Sequence, residues 1–192
     1  MMKKIEIEGG LSFVFNDFIS AEAVDRQDGK DKARLKFNGT SIVDVIAENN
    51  EQLCFIEAKN FIRASADTNV QIAMDKAREH SYAELADAPA YAKKMLGKLE
   101  HSLFLWLASG NSIRKPVAFI LAFVVDPVFD SNLRRILIDR LNKYIPNPSY
   151  NPLQKSGENE TKIYFDIPEV YDNYGFSVSV QQVTSENARI KA

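Results

Sequence analysis

The chain has 192 residues, of which 45% are apolar, with 24 Lys and Arg set against 26 Asp and Glu for a net charge of −2. That length suits one domain, 1–192, and that apolar content supplies a substantial core, which excludes a disordered chain. The lone cysteine, Cys54, excludes an intrachain disulfide, and the slightly acidic balance argues against a protein that grips nucleic acid by bulk charge alone.

The opening Met-Met-Lys-Lys-Ile-Glu-Ile-Glu has basic residues but no apolar h-region, so no signal peptide is expected there. No apolar run reaches the length of a membrane span. The expectation is a soluble, cytoplasmic protein without membrane contact. Residues 11–24 carry Leu11, Val14, Phe15, Phe18 and Ile19 at helical spacing behind a candidate cap, Ser12, and are expected to form an amphipathic helix. A charged turn around Gly29 follows. Residues 33–37 alternate Arg34 and Lys36 with Leu35 and Phe37, as a strand with one wet face does. Asn38-Gly39 is a hairpin-type turn signal.

Residues 42–48 and 52–60 are apolar runs separated by Asn49-Asn50-Glu51, which predicts two antiparallel neighbours joined by a polar turn. A helical pattern starts near Asp67 or Thr68 and runs through Ile72, Ala77 and Leu85 to Pro89, which is expected to break it. A second helix is expected over 90–108, ending near Gly110. Residues 116–125 are apolar on both faces and predict a central buried strand. A further helix from Asp130 or Ser131 to Tyr144, a loop over 145–161, and short strands at 162–167 and 176–183 complete the pattern.

The chemistry-bearing residues lie in the paired runs. Asp44 and Glu57 are thirteen positions apart, and Lys59 is two beyond Glu57. On a strand, positions i and i+2 share a face, so Glu57 and Lys59 point one way and Ile56 and Ala58 the other. If Asp44 faces the same side, two carboxylates and an ammonium converge. Such a pair can hold a hard divalent cation, while the lysine orients or deprotonates a water. The bland readings are an edge-strand acid for Asp44 and a surface ion pair for Glu57 and Lys59. The apolar residues flanking all three favour the functional reading, because buried carboxylates need partners. Cys54 reads as a core thiol, and His80 and His101 as helix-surface residues. Basic residues cluster at Lys30, Lys32, Arg34 and Lys36, at Lys93, Lys94 and Lys98, and at Arg134, Arg135, Arg140 and Lys143. Each is ordinarily a solvated face; the first, including Arg34 and Lys36, is the candidate for phosphate-backbone contacts.

Asp44 followed by Glu57-Ala58-Lys59 resembles the PD-(D/E)xK nuclease superfamily, with Val43 standing where proline precedes the first acid. The resemblance implies an α/β, restriction-endonuclease-like αβββαβ core: a mixed central sheet flanked by helices over about 11–125. A C-terminal helix and two-strand extension would occupy about 130–184. It implies a metal-dependent nuclease hydrolysing phosphodiester bonds, in DNA, with Asp44, Glu57 and Lys59 as catalytic residues. Mg²⁺, for which Mn²⁺ can substitute, would be bound by Asp44, Glu57 and the backbone carbonyl of Ala58. The superfamily often adds an acid from its first helix, here Glu22, with Asp17 as the alternative. Asn60 and Gln71 are candidate substrate contacts; Asp75 stands where a Gln-x-x-x-Tyr branch would have tyrosine. A homodimer is expected if both strands of a duplex are cut. The alternative is a catalytically inactive nuclease-like module binding nucleic acid or a protein partner, with the apolar segment around Trp106 available for packing.

Overall fold

The computed structural model of the chain describes residues 2–7, 10–25, 41–62, 83–127, 131–145, 147 and 159–180. The polar turn at residue 49 forms the tightest corner: Asn49 Oδ1 accepts the N–H of Glu51 at 2.8 Å and of Gln52 at 2.7 Å. A short acceptor side chain at the first position of a turn satisfies donors that the strands leave open. That corner joins β4 (Val45–Glu48) to β5 (Leu53–Asn60) as antiparallel neighbours, with Val45 opposite Ile56 and Glu48 opposite Leu53. β3 (Ser20–Ala23) pairs antiparallel on the other side of β4.

A parallel neighbour requires a long crossover. Between β5 and its parallel partner β6 (Val117–Val124) the chain forms helix α1 (Ala88–Ala108). β6 is buried along its whole length, as a strand apolar on both faces must be. Helix α2 (Ser131–Tyr144) precedes β7 (Glu160–Asp166), which adds parallel to β6. The five strands β3-β4-β5-β6-β7 therefore make one mixed sheet. A second, antiparallel sheet joins β1 (Lys3–Ile7), β2 (Leu11–Phe15) and β8 (Phe176–Val180) in the order β1-β2-β8. A 3₁₀ helix, Pro168–Tyr174, leads into β8.

The strand alternation sorts the core into two clusters. Leu53 and Phe55 of β5, with Phe119, Leu121 and Phe123 of β6, pack against Tyr91, Met95 and Leu99 of α1 and Leu137 and Leu141 of α2. Cys54, Ile56 and Ala58 face the opposite way, toward Phe13, Phe15, Phe176 and Val178 of the small sheet. The fold class is thus α/β, with helices on one face of the mixed sheet and an antiparallel sheet on the other.

Two expectations change. Residues 11–24 are not a helix but β2 and β3. Leu11, Phe13 and Phe15 also fit a period of two, and all three are fully buried against the second cluster. Asp17, at φ 60, turns the chain between the two strands, a conformation no helix interior holds. Ser12 is a buried strand residue rather than a cap. The break expected at Pro89 is present: residues 83–86 are helical, the helix is interrupted at Asp87, and Pro89 lies in the first turn of α1, where Asp87 Oδ1 accepts the Ala90 N–H at 3.2 Å. The expected strand at 33–37, the helix from Asp67 except for the helical residues 83–86, and most of the loop at 145–161 lie outside the described residues. Among the described residues no helix is long and apolar enough to cross a membrane.

The Phe123 ring, 1% exposed, stacks on Phe165 with centroids 4.1 Å apart. Phe123→Ala is expected to cost about 3–5 kcal/mol, from lost burial plus the cavity left behind. Urea unfolding checks this; a loss under about 1 kcal/mol would show that the neighbouring helices collapse into the space.

Candidate functional site

Glu57 projects from β5 toward the helical layer and is 1% exposed. An ionised carboxylate there needs compensation close at hand. Two lysines supply it. Lys98 Nζ lies 2.7 Å from Oε1 and 2.8 Å from Oε2, bridging both oxygens. Lys59 Nζ lies 3.0 Å from Oε1, reaching back along its own strand from the shared face. The Lys98 side chain is 8% exposed, whereas that of Lys59 is 28% exposed and so reaches the rim.

Lys98 sits on the inward stripe of α1 with Tyr91, Met95, Ser102 and Leu105, all buried. The same stripe anchors the chain beside the site. Ser102 Oγ donates to the Lys98 carbonyl at 2.7 Å and accepts the Val43 N–H at 3.0 Å. The segment entering Asp44 is thereby tied to the helix that delivers Lys98.

Asp44 lies where β4 stops pairing through its backbone. Its N–H still donates to the Ile56 carbonyl at 3.0 Å, and its own carbonyl accepts the Val24 N–H at 2.9 Å. Its side chain then takes over: Oδ2 accepts the Ala58 N–H at 2.7 Å. In an extended strand a residue's N–H and C=O project to the same edge, so the Ala58 carbonyl faces the Asp44 side as well.

Burial, then the negative charge of Glu57, pushes the Asp44 carboxyl up to about 7, against the opposing pull of Lys98, the Ala58 N–H and Lys59. Burial also works against the Lys59 ammonium, but the charges of Glu57 and Asp44 outweigh it and hold its pKa above the ordinary lysine value. Lys59 is therefore a cation at neutral pH. Beside this cluster the buried Tyr91 hydroxyl has no hydrogen-bond partner among the described residues. Burial and the charges of Glu57, Glu84 and Asp44 raise its pKa well above the usual phenol value.

The structure thus gathers Asp44, Glu57, Ala58 and Lys59. It separates other candidates from them. Glu22 is an exposed strand residue opposite Ile46, not an acid on a first helix. It lines a cavity of about 250 Å³ with Ser20, Ile42, Trp106 and Asn111. Asp17, its alternative, occupies the turn before β3. Asn60 alternates to the face opposite Lys59, and its Oδ1 accepts the Ile62 N–H at 2.9 Å, which begins the turn. Gln71, Arg34 and Lys36 lie outside the described residues. Cys54 is a buried thiol pushed up to about 12 by burial, and is inert. Lys98 corrects the reading of Lys93, Lys94 and Lys98 as one solvated face. Its place at helical spacing with Tyr91, Met95, Ser102 and Leu105 carried the signal.

Among the described residues no group of three or more His, Cys, Asp and Glu side chains is placed to hold a metal. The donors gathered here are two carboxylates and one backbone carbonyl edge, all hard oxygens of the kind Mg²⁺ takes. Burial first, and Glu57 second, raise the Asp44 pKa, so a cation placed between the two acids would favour the ionised form of Asp44. The partnerless Tyr91 hydroxyl marks spare hydrogen-bonding capacity beside them. In donor chemistry these residues fit a small hard cation. No family model matches the chain, and no curated protein or solved structure does.

The electrostatics carry a sign. The folded pKa of Asp44 lies above its ordinary value, so the folded state binds the extra proton and stability is lost as pH rises through about 7. Carbon-13 NMR of the Asp44 carboxyl is expected to show titration near 7, moving downward in Glu57→Gln, which removes a neighbouring negative charge. Titration at the ordinary aspartate value in the wild type would show that Asp44 is solvated and apart from Glu57.

Proposed function

We propose that this chain is a metal-dependent nuclease of the PD-(D/E)xK kind, hydrolysing phosphodiester bonds in DNA. The observation that carries the reading is the convergence of Asp44, Glu57 and Lys59, with Asp44 bonded to the backbone of the residue between the other two. The order of elements supports it. An antiparallel β3-β4-β5 run, then α1, then β6 parallel to β5, corresponds to the βββαβ part of the expected core. The first helix of that core has no counterpart at 11–24, so this reading takes no acid from it.

A bound Mg²⁺ would supply Lewis-acid polarisation of the phosphoryl oxygens. Asp44, Glu57 and the Ala58 carbonyl would hold it. Lys59 has a raised pKa and stays charged, which suits it to orient the attacking water and to offset charge developing on phosphate rather than to take a proton. Its partial exposure puts the ammonium where a substrate phosphate can arrive. Cutting both strands of a duplex would employ two copies of the chain. The second reading, a nuclease-like module that binds without cutting, is favoured by one observation: Lys98 already spans both Glu57 oxygens.

Purified protein is expected to cleave DNA when Mg²⁺ or Mn²⁺ is present and to stop on chelation, with RNA assayed in parallel to establish the substrate. Asp44→Asn and Lys59→Ala should each lower the rate by about 100-fold or more, the scale seen when one transition-state stabiliser is removed. Folded variants that cut at the wild-type rate would contradict the assignment of roles.

A further inference from the structure

Lys98 is the group the expected three-residue motif does not account for. Its ammonium sits 2.7 and 2.8 Å from the two Glu57 oxygens, the bidentate position a divalent cation takes on a carboxylate. We propose that Lys98 is a built-in occupant of the cation's place, holding Glu57 while no divalent ion is present and giving way when one binds. The inference rests on the two-acid cation site proposed above and adds its regulation.

Three observations support it. Glu57 is 1% exposed, so water cannot stand in as its partner, and a carboxylate this buried needs a cation at all times. Lys98 meets both Glu57 oxygens, at 2.7 and 2.8 Å, and sits closer than Lys59, whose ammonium is 3.0 Å from Oε1. The charge count agrees. With both acids ionised, the form that binds a cation, Asp44 and Glu57 balance Lys59 and Lys98, so a divalent ion added to that quartet would leave a buried excess of positive charge. Releasing one ammonium from Glu57 relieves it, and the buried Lys98 is the one occupying both oxygens.

The motion required is small. The helix backbone at Lys98 is held through Ser102 to Val43, so only the lysine side chain needs to move. Lysine suits such a task because its point charge rides on a flexible four-carbon stem, unlike the rigid planar fork of arginine. An ammonium in place also sets a threshold: a divalent ion binds only at a concentration that outcompetes it.

Calorimetric titration of Mn²⁺ and Mg²⁺ into the full chain tests this. Lys98→Met is expected to bind one ion about tenfold or more tighter than the wild type, because a nearby unit of like charge has been removed. That site should vanish in Asp44→Asn. Tighter binding in Lys98→Met, or binding there and none in the wild type, supports displacement. Equal or weaker binding in Lys98→Met, with a normal wild-type site, overturns the role of Lys98 and leaves the cation site standing. No binding in either protein overturns both. Should Lys98→Met fail to fold, Lys98→Gln keeps a neutral N–H donor to Glu57 and is expected to tighten binding in the same direction. A second readout needs no variant in the measured sample: the nitrogen-15 ammonium signal of Lys98 in the wild type should shift on Mg²⁺ addition. A signal unmoved at saturating Mg²⁺ overturns the proposal.

Discussion

A carboxylate with almost no water around it governs the centre of this molecule. Glu57 lies in the helical-side core with two ammoniums on its oxygens. Removing one partner of a buried ion pair ordinarily costs about 3–5 kcal/mol, a large share of a domain's stability. Replacing such a pair by apolar residues is often neutral or stabilising. Stability alone therefore gives no reason to place Glu and Lys between Tyr91, Leu121 and Met95. The cation site proposed above would give one, and would account for Asp44 lying beside Glu57 although like charges repel.

The fold achieves this placement by ending one strand early. β4 pairs with β5 only from Val45 to Glu48, while β5 runs four residues past that pairing, to Asn60. Asp44 fills the gap with its side chain, taking the Ala58 N–H that a longer β4 would have taken with a carbonyl. β5 meanwhile emerges from the apolar centre of the sheet, so its last residues pass from buried Glu57 to half-buried Lys59. One end of the site is dry and the other open. The dry end strengthens the charges, and the open end leaves the Lys59 ammonium within reach of solvent.

The strands β4, β5 and β6 were legible from sequence because each has a short-range cause. Strand alternation put Glu57 and Lys59 on one face, Asn49 closed the corner between β4 and β5, and the unbroken apolar run at 116–125 could only be a buried strand. The segment 11–24 was not legible. Its apolar residues fit both a period of two and a helical period, and pairing with other segments selects the strands: β2 with β1 and with β8, more than 150 residues later, and β3 with β4. Pro89 was legible as a break, since the helical residues 83–86 stop at Asp87, which caps the next helix. Lys98 was grouped by charge with Lys93 and Lys94, when its position on the apolar stripe of α1 set it apart. A charged residue at a core position of an amphipathic helix needs a buried partner, and the partner here is Glu57, one of the acids already singled out.

These relations come down to whether Asp44 and Glu57 share one cation. Diffraction from crystals soaked in Mn²⁺, read through anomalous scattering, measures that directly. The account predicts a single strong anomalous peak within coordination distance of both carboxylates, adjoining the Ala58 carbonyl, with the Lys98 ammonium moved off Glu57. Glu57 still spanned by Lys98 and no peak beside Asp44 at saturating Mn²⁺ would contradict it.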